Sequence, residues 1–176
     1  MRFWPNPAYF DTVHFSARRL RHTLRAKAVL CPGLTVTFSD ETSGEKDQWF
    51  YEDGLQEYLA DGLKGCETVP DEPFVGKIDG DGEAVSWAVV WLPEGGETIM
   101  ESYVNLIPTA QGGTHVNGFR SGLLAAIREF CEFRKLIPRG IKLAPDDIWD
   151  RCAYVLSSKL EIAAGFHCKA PEISNG

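Results

Sequence analysis

The sequence holds no apolar run long enough to cross a bilayer: the longest, residues 84–92, still contains Ser86, and spanning takes about 20 apolar residues. It opens without the basic-then-apolar pattern of a secretory signal, with Pro5 and Pro7 early, so a soluble cytoplasmic chain with no membrane partner is expected. Cysteine is sparse and unpaired. Cys31, Cys66, Cys131, Cys152 and Cys168 are an odd number with no CxxC pair, which argues against a disulfide framework or zinc finger and predicts free, mostly buried thiols. There is no internal repeat, no GxGxxG and no GxxxxGK[ST], so neither a dinucleotide fold nor a P-loop is supported. His14, His22 and His167 form no ligand pattern, and no metal site is expected.

What is present suits a folded chain of one ordinary domain or two small ones: 176 residues, 44% of them hydrophobic and 11% aromatic, enough to bury a core. The net charge of -7 conceals a division. Residues 1–30 carry six basic side chains and one acid, residues 40–101 carry seventeen acids against three lysines, and the remainder is close to balanced. The run Arg18, Arg19, Arg21, Arg25 and Lys27 reads either as a solvated helix face or as a contact for a phosphate backbone, since local potential governs such encounters. The acidic middle reads as solvated surface; a glycosidase would need two of its carboxylates brought together in a cleft.

Residues 15–30 predict a helix, with Ala17, Leu20, Leu24 and Ala28 at helical spacing and Ser16 as its cap. Residues 34–38 and 49–51, around a polar turn at Gly44, predict a hairpin, and residues 54–63 a second helix with Leu55, Tyr58, Leu59 and Leu63 on one stripe. Residues 65–81, rich in Pro, Gly and acids, read as an irregular connection. Residues 84–92 are apolar on both alternating faces and predict a strand covered on both sides; Pro93 to Gly96 turn the chain back into a returning strand at 98–105. A loop follows to Gly113. A long helix is then expected with Thr114 as cap, a core stripe of Phe119, Leu123, Ile127, Phe130 and Phe133, and an outer Arg128–Glu132 pair. Pro138 and Gly140 end it, Pro145 with Asp146 and Asp147 starts a short helix, and residues 154–158 form the next strand.

The sharpest local cluster is Gly112, Gly113, Thr114 and His115. A glycine pair feeding a helix N-terminus presents amides that suit an anion, but is also an ordinary structural device. No Ser, Cys or Asp stands at a spacing that would make His115 a catalytic base, so it reads as a core or supporting histidine, and no catalytic residue is assigned.

The string YVNLIPTAQGGTHVNGF at 103–119 resembles the signature of the B subunits of bacterial type II topoisomerases. FWPNPAYFD, KAVLCPGLTVTF, WFYEDGLQEYL, VSWAVVWLPEGGE and REFCEFRKLIPRGIKLAPDDIWDRCAYVLSSK extend the likeness, in order, over residues 1–159, and resemble the topoisomerase IV branch more than the gyrase branch. The resemblance implies an α+β fold: residues 1–39 as the C-terminal strand and helix of a GHKL ATPase domain, and 40–159 as an incomplete transducer domain of ribosomal protein S5 domain 2-like fold with a left-handed βαβ crossover. It implies coupling of ATP-driven closure to passage of one DNA duplex through another. The partners it implies are duplex DNA, the A subunit of topoisomerase IV and a second copy of the B subunit.

By the same resemblance the nucleotide-binding, magnesium-binding and catalytic residues lie upstream, so ATP and magnesium belong to the full enzyme and no cofactor is expected here. The motif carries over as structural at Gly112, Gly113, Thr114, His115, Gly118 and Phe119. Arg120, directly after it, is implied to face the cavity of the transported duplex, where a guanidinium contacts phosphate without reading sequence. Residues 160–176, LEIAAGFHCKAPEISNG, depart from the pattern: a Gln-Thr-Lys loop reaching the nucleotide is expected there, and Lys169 stands in the wrong context to replace it. A truncated or frameshifted gene, or foreign tail residues, accounts for this end. The alternatives are a stand-alone DNA- or subunit-binding module without catalysis, or a non-functional remnant.

Overall fold

The structure is a computed structural model that describes residues 4–138, 140–141 and 143–161. The chain runs α1 (Ala17–Leu30), β1 (Val36–Ser39), β2 (Lys46–Trp49), α2 (Leu55–Gly62), β3 (Val69–Asp79), β4 (Glu83–Trp91), β5 (Met100–Val104), β6 (Ile107–Pro108), α3 (Thr114–Arg134), α4 (Pro145–Trp149) and β7 (Cys152–Leu160). β1 and β2 form an antiparallel hairpin as expected, but its second strand is Lys46–Trp49 and not residues 49–51, so the end of the polar stretch is already strand; the other strands build a sheet of order β3-β4-β7-β5-β6.

The double apolar character of β4 has a direct cause. Ala88, Val90 and Leu92 join Ala153 and Val155 of β7 in a buried cluster with Val29 and Leu30 of α1 and Tyr58 and Leu59 of α2. On the opposite face Val89, Trp87 and Trp91 pack with Tyr154 and Leu156 against Val116, Phe119, Leu123 and Ile127 of α3 and Ile148 and Trp149 of α4. Helices therefore cover both faces, and β7, with β4 on one side and β5 on the other, is buried from Cys152 to Ser158.

Other expectations are corrected as well. Residues 65–81 are not irregular: most of them form the edge strand β3, whose early prolines are accommodated by a register shift between Val69 and Phe74. Proline is tolerated where one side of a strand has no partner to hydrogen-bond, so composition disguised the strand. The strand at 98–105 does not return beside β4; β5 pairs parallel with β7, Met100 opposite Tyr154 through Val104 opposite Ser158, and α3 supplies the crossover between them. The loop after it contains β6, paired antiparallel with β5 around the positive-φ residues Asn105 and Leu106.

A further correction concerns α3. Its cap is Gly113, with Thr114 already inside the helix. Phe119, Leu123 and Ile127 do pack on the sheet, but Phe130 and Phe133 are 56% and 81% exposed, because the helix outruns the sheet it covers. Arg128 does not pair with Glu132; its Nε donates to the Leu143 carbonyl at 2.9 Å and ties down the segment before α4. The helix ends at Arg134, with Lys135 left-handed, ahead of the expected stop at Pro138. The thiols are free but less buried than expected: among the described residues only Cys152 is buried, with Cys31 and Cys131 half-buried and Cys66 exposed. The tail from residue 162 onward, with His167, Cys168 and Lys169, lies outside the described residues.

Candidate functional site

The glycine pair connects the β5–β6 hairpin to α3. Gly112 has φ 71° and its amide donates to the Thr109 carbonyl at 2.8 Å, and Gly113 has φ 151°, a conformation suited to a residue without Cβ. Thr109 is the hub of the contacts around this pair. Its amide and its hydroxyl both donate to the Ser102 carbonyl, at 2.8 and 2.9 Å, while the Ser102 hydroxyl lies 3.1 Å from the Thr109 carbonyl. His115 Nε2 stands 3.1 Å from the Thr109 hydroxyl. With that hydroxyl proton given to Ser102, Nε2–H is the donor to Thr109. Burial holds the His115 pKa below its ordinary value, which favours the neutral ring. The cluster is a latch between β5, the loop and the first turn of α3.

One turn further on, the motif points two neighbours in different directions. Phe119 enters an aromatic cluster, its ring centroid 5.9 Å from Trp87, 5.9 Å from Trp149 and 5.6 Å from Tyr154. Arg120 stays on the exposed side and lays its guanidinium over the Trp149 ring, 4.8 Å from the centroid. Together with Trp91, Asp146, Asp147, Asp150 and Arg151 these two residues line an open depression of about 740 Å³. The Trp91 indole N–H donates to the Ile148 carbonyl at 2.6 Å and fixes α4 as one wall. Arg120 also lowers the pKa values of Cys152 and Tyr154, but burial outweighs it: the Cys152 thiol is pushed up to about 12 and the Tyr154 hydroxyl upward. At Gly118 and Gly122, one turn apart on α3, an added Cβ would meet no atom within 4 Å.

The basic run on α1 divides. Arg21 Nε donates to Asp47 at 2.7 Å and its Nη2 to Glu45, Arg25 Nε donates to the Tyr51 hydroxyl at 2.7 Å, and Lys27 donates to the Leu106 carbonyl. These three hold α1 to its neighbours. Arg18 and Arg19 are exposed and make no ion pair within the described residues. The C-terminal part of their helix packs on the face of the sheet opposite α3, which carries Arg120, and no contact joins the two basic features among the described residues. Trp149 is the neighbour of Arg120 that the sequence does not reveal: it is 29 positions away, and no periodicity links them. Among the described residues no group of three or more His, Cys, Asp or Glu side chains is placed to hold a metal ion.

A profile of the DNA gyrase B family matches residues 54–166. The DNA topoisomerase 4 B subunit of Pseudomonas aeruginosa is 63% identical over 161 residues, which make up 92% of this chain and 26% of that one. The Haemophilus influenzae protein of the same name is 64% identical over 163 residues, 93% of this chain and 26% of that one. Among solved structures, the topoisomerase IV ATP binding domain of Francisella tularensis, in complex with a small-molecule inhibitor, superposes with a TM-score of 0.73 at 38% identity. It covers 90% of this chain and 42% of that one. The chain thus spans about a quarter of the length of the curated relatives it matches.

Proposed function

Because the chain belongs to the DNA gyrase B family, we propose that it is the portion of a type II topoisomerase B subunit that couples ATP-driven closure to passage of a DNA duplex, with Arg120 facing that duplex. In this reading residues 1–39 are the C-terminal edge of a GHKL ATPase domain and 40–159 most of a transducer domain of ribosomal protein S5 domain 2-like fold. ATP and magnesium are held elsewhere in the full enzyme. Its partners, in the cytoplasm, are duplex DNA, a second copy of the B subunit, and the enzyme's A subunit.

The observation that carries the reading is Arg120 on the open side of α3, its guanidinium over the Trp149 ring and without an ion pair among the described residues. A guanidinium held over an aromatic ring keeps N–H groups for an acceptor, and phosphate accepts from them whatever the base sequence. The missing side chains at Gly118 and Gly122, where nothing fills the space, let a backbone approach the same helix closely. Coupling has a physical route as well. The C-terminal half of α1 is buried with β4 and β7 on one face of the sheet, and α3 is packed on the other. A close-packed sandwich transmits displacement instead of absorbing it, so a push delivered at α1 reaches the helix that carries Arg120.

The test is duplex binding by the purified chain with and without ATP and magnesium. Affinity that falls steeply with salt supports the duplex contact, which a stand-alone binding module would also make, and its independence of nucleotide supports the placement of ATP elsewhere in the full enzyme. Nucleotide turnover by the chain, or affinity that ATP changes, contradicts it.

A further inference from the structure

We propose that Trp149 is the positioning residue for Arg120: its indole face holds the guanidinium at the rim of the depression, clear of the α4 carboxylates and with its donor edge free for a phosphate. The inference rests on the reading of Arg120 as a duplex contact. It begins from an ion pair that is not made. Asp146, Asp147 and Asp150 line the same depression as Arg120, yet among the described residues no carboxylate lies within ion-pair distance of it. One of the three acids is otherwise held, Asp147 accepting from the Ala144 amide at 2.7 Å, while exposed Asp150 is drawn away only weakly by Arg151 at 3.9 Å. Asp146, with no side-chain hydrogen bond or ion pair among the described residues, is the competitor with nothing to hold it.

A flexible arginine beside a free carboxylate would swing onto it and be lost to a phosphate ligand. The indole prevents this, because a cation is attracted to the face of an aromatic ring and most strongly to that of tryptophan. The platform is itself rigid. Trp149 is only 9% exposed, with Phe119 and Tyr154 meeting it edge to face at 5.9 and 6.0 Å. A side chain already ordered in its binding pose loses less freedom when the ligand arrives, which is the advantage of preorganisation.

The experiment titrates the 176-residue chain with a random-sequence duplex over a range of salt concentrations. It compares the wild type with Arg120→Ala, Asp146→Asn, Trp149→Phe, Trp149→Leu and the double variant Asp146→Asn/Trp149→Leu. Loss of one phosphate contact lowers the salt slope by about 0.9 and weakens binding uniformly across sequences. Trp149→Leu is expected to show both losses, as Arg120→Ala does. Trp149→Phe keeps the slope, and adding Asp146→Asn to Trp149→Leu recovers part of it. Asp146→Asn alone measures the general gain from removing a negative charge near the duplex, and only a recovery larger than that gain separates positioning from a role confined to packing. A folded Trp149→Leu that keeps the slope, while Arg120→Ala loses it, overturns the positioning role and leaves the duplex contact standing. An unchanged slope in Arg120→Ala overturns both. Should Trp149→Leu fail to fold, NMR on the wild type and Trp149→Phe decides: the Arg120 Nε–H resonance is expected to be ring-current shifted in both, and a resonance at the position of a free arginine in the wild type refutes the stack.

Discussion

Replacing Gly113 and Gly118 by alanine should move the stability of the chain in opposite directions, although both glycines stand in one short motif. At Gly113 the backbone has φ 151° and ψ -172°, and a Cβ would lie 3.0 Å from Cε1 and 3.1 Å from Nδ1 of His115. Holding a residue with a side chain in such a region costs on the order of 1–3 kcal/mol. Moving the imidazole aside also breaks its bond to Thr109, for about 0.5–1.5 kcal/mol more. The expected loss is therefore roughly 2–4 kcal/mol, or about 4–16 °C in Tm for a chain of this length. Gly118 sits inside α3 with ordinary helical geometry, and an added Cβ meets nothing within 4 Å. There alanine gains about 1 kcal/mol of helix propensity and raises Tm by roughly 2–4 °C. Urea denaturation followed by far-UV circular dichroism measures both. A neutral Gly113→Ala would refute the latch, and a Gly118→Ala that destabilises the chain would refute the open face on α3.

Alkali should act on three tyrosines only through the fold. Tyr58 and Tyr103 both donate to Glu101, at 3.0 and 2.6 Å, and burial and that carboxylate raise their pKa values, while burial raises Tyr154. The folded state keeps these protons where an unfolded tyrosine gives them up, near pH ~10. Their contribution to stability is thus complete below that pH and is lost as pH rises above it. Phenolate absorbance is expected to rise in step with loss of far-UV ellipticity; reversible ionisation of all five tyrosines in the folded chain near pH ~10 would contradict the burial. In the core, Leu156→Ala removes a fully buried side chain of β7 and should cost about 2–5 kcal/mol. Leu160→Ala, at the exposed end of the same strand, should stay within about 0.5 kcal/mol in the same denaturation assay.

The fold was legible wherever one local pattern decided it. Ser16 caps α1 as expected, its Oγ accepting from the Arg19 amide, and the two-faced apolar pattern at 84–92 announced a strand between helical layers. What could not be seen was partnership. Nothing in residues 98–105 says that β5 joins β7 in parallel instead of folding back on β4, since strand order depends on where α3 carries the chain. β3 was hidden because edge strands tolerate the prolines and acids that a central strand would reject. Phe130 and Phe133 lie on the helical stripe of Phe119, but periodicity does not say where the sheet beneath it ends. In the site, the motif marked the latch and Arg120, while the Trp149 platform and the division of the α1 cations are contacts between distant residues that spacing does not encode.

The most direct measurement of the central claim is the salt dependence of duplex binding by the wild-type chain and by Arg120→Ala. The account predicts that log affinity falls linearly with log salt in both, that the variant slope is shallower by about 0.9, and that the loss is the same for duplexes of unrelated sequence. Equal slopes in a folded Arg120→Ala chain, or no duplex binding by the wild type at low salt, would contradict it.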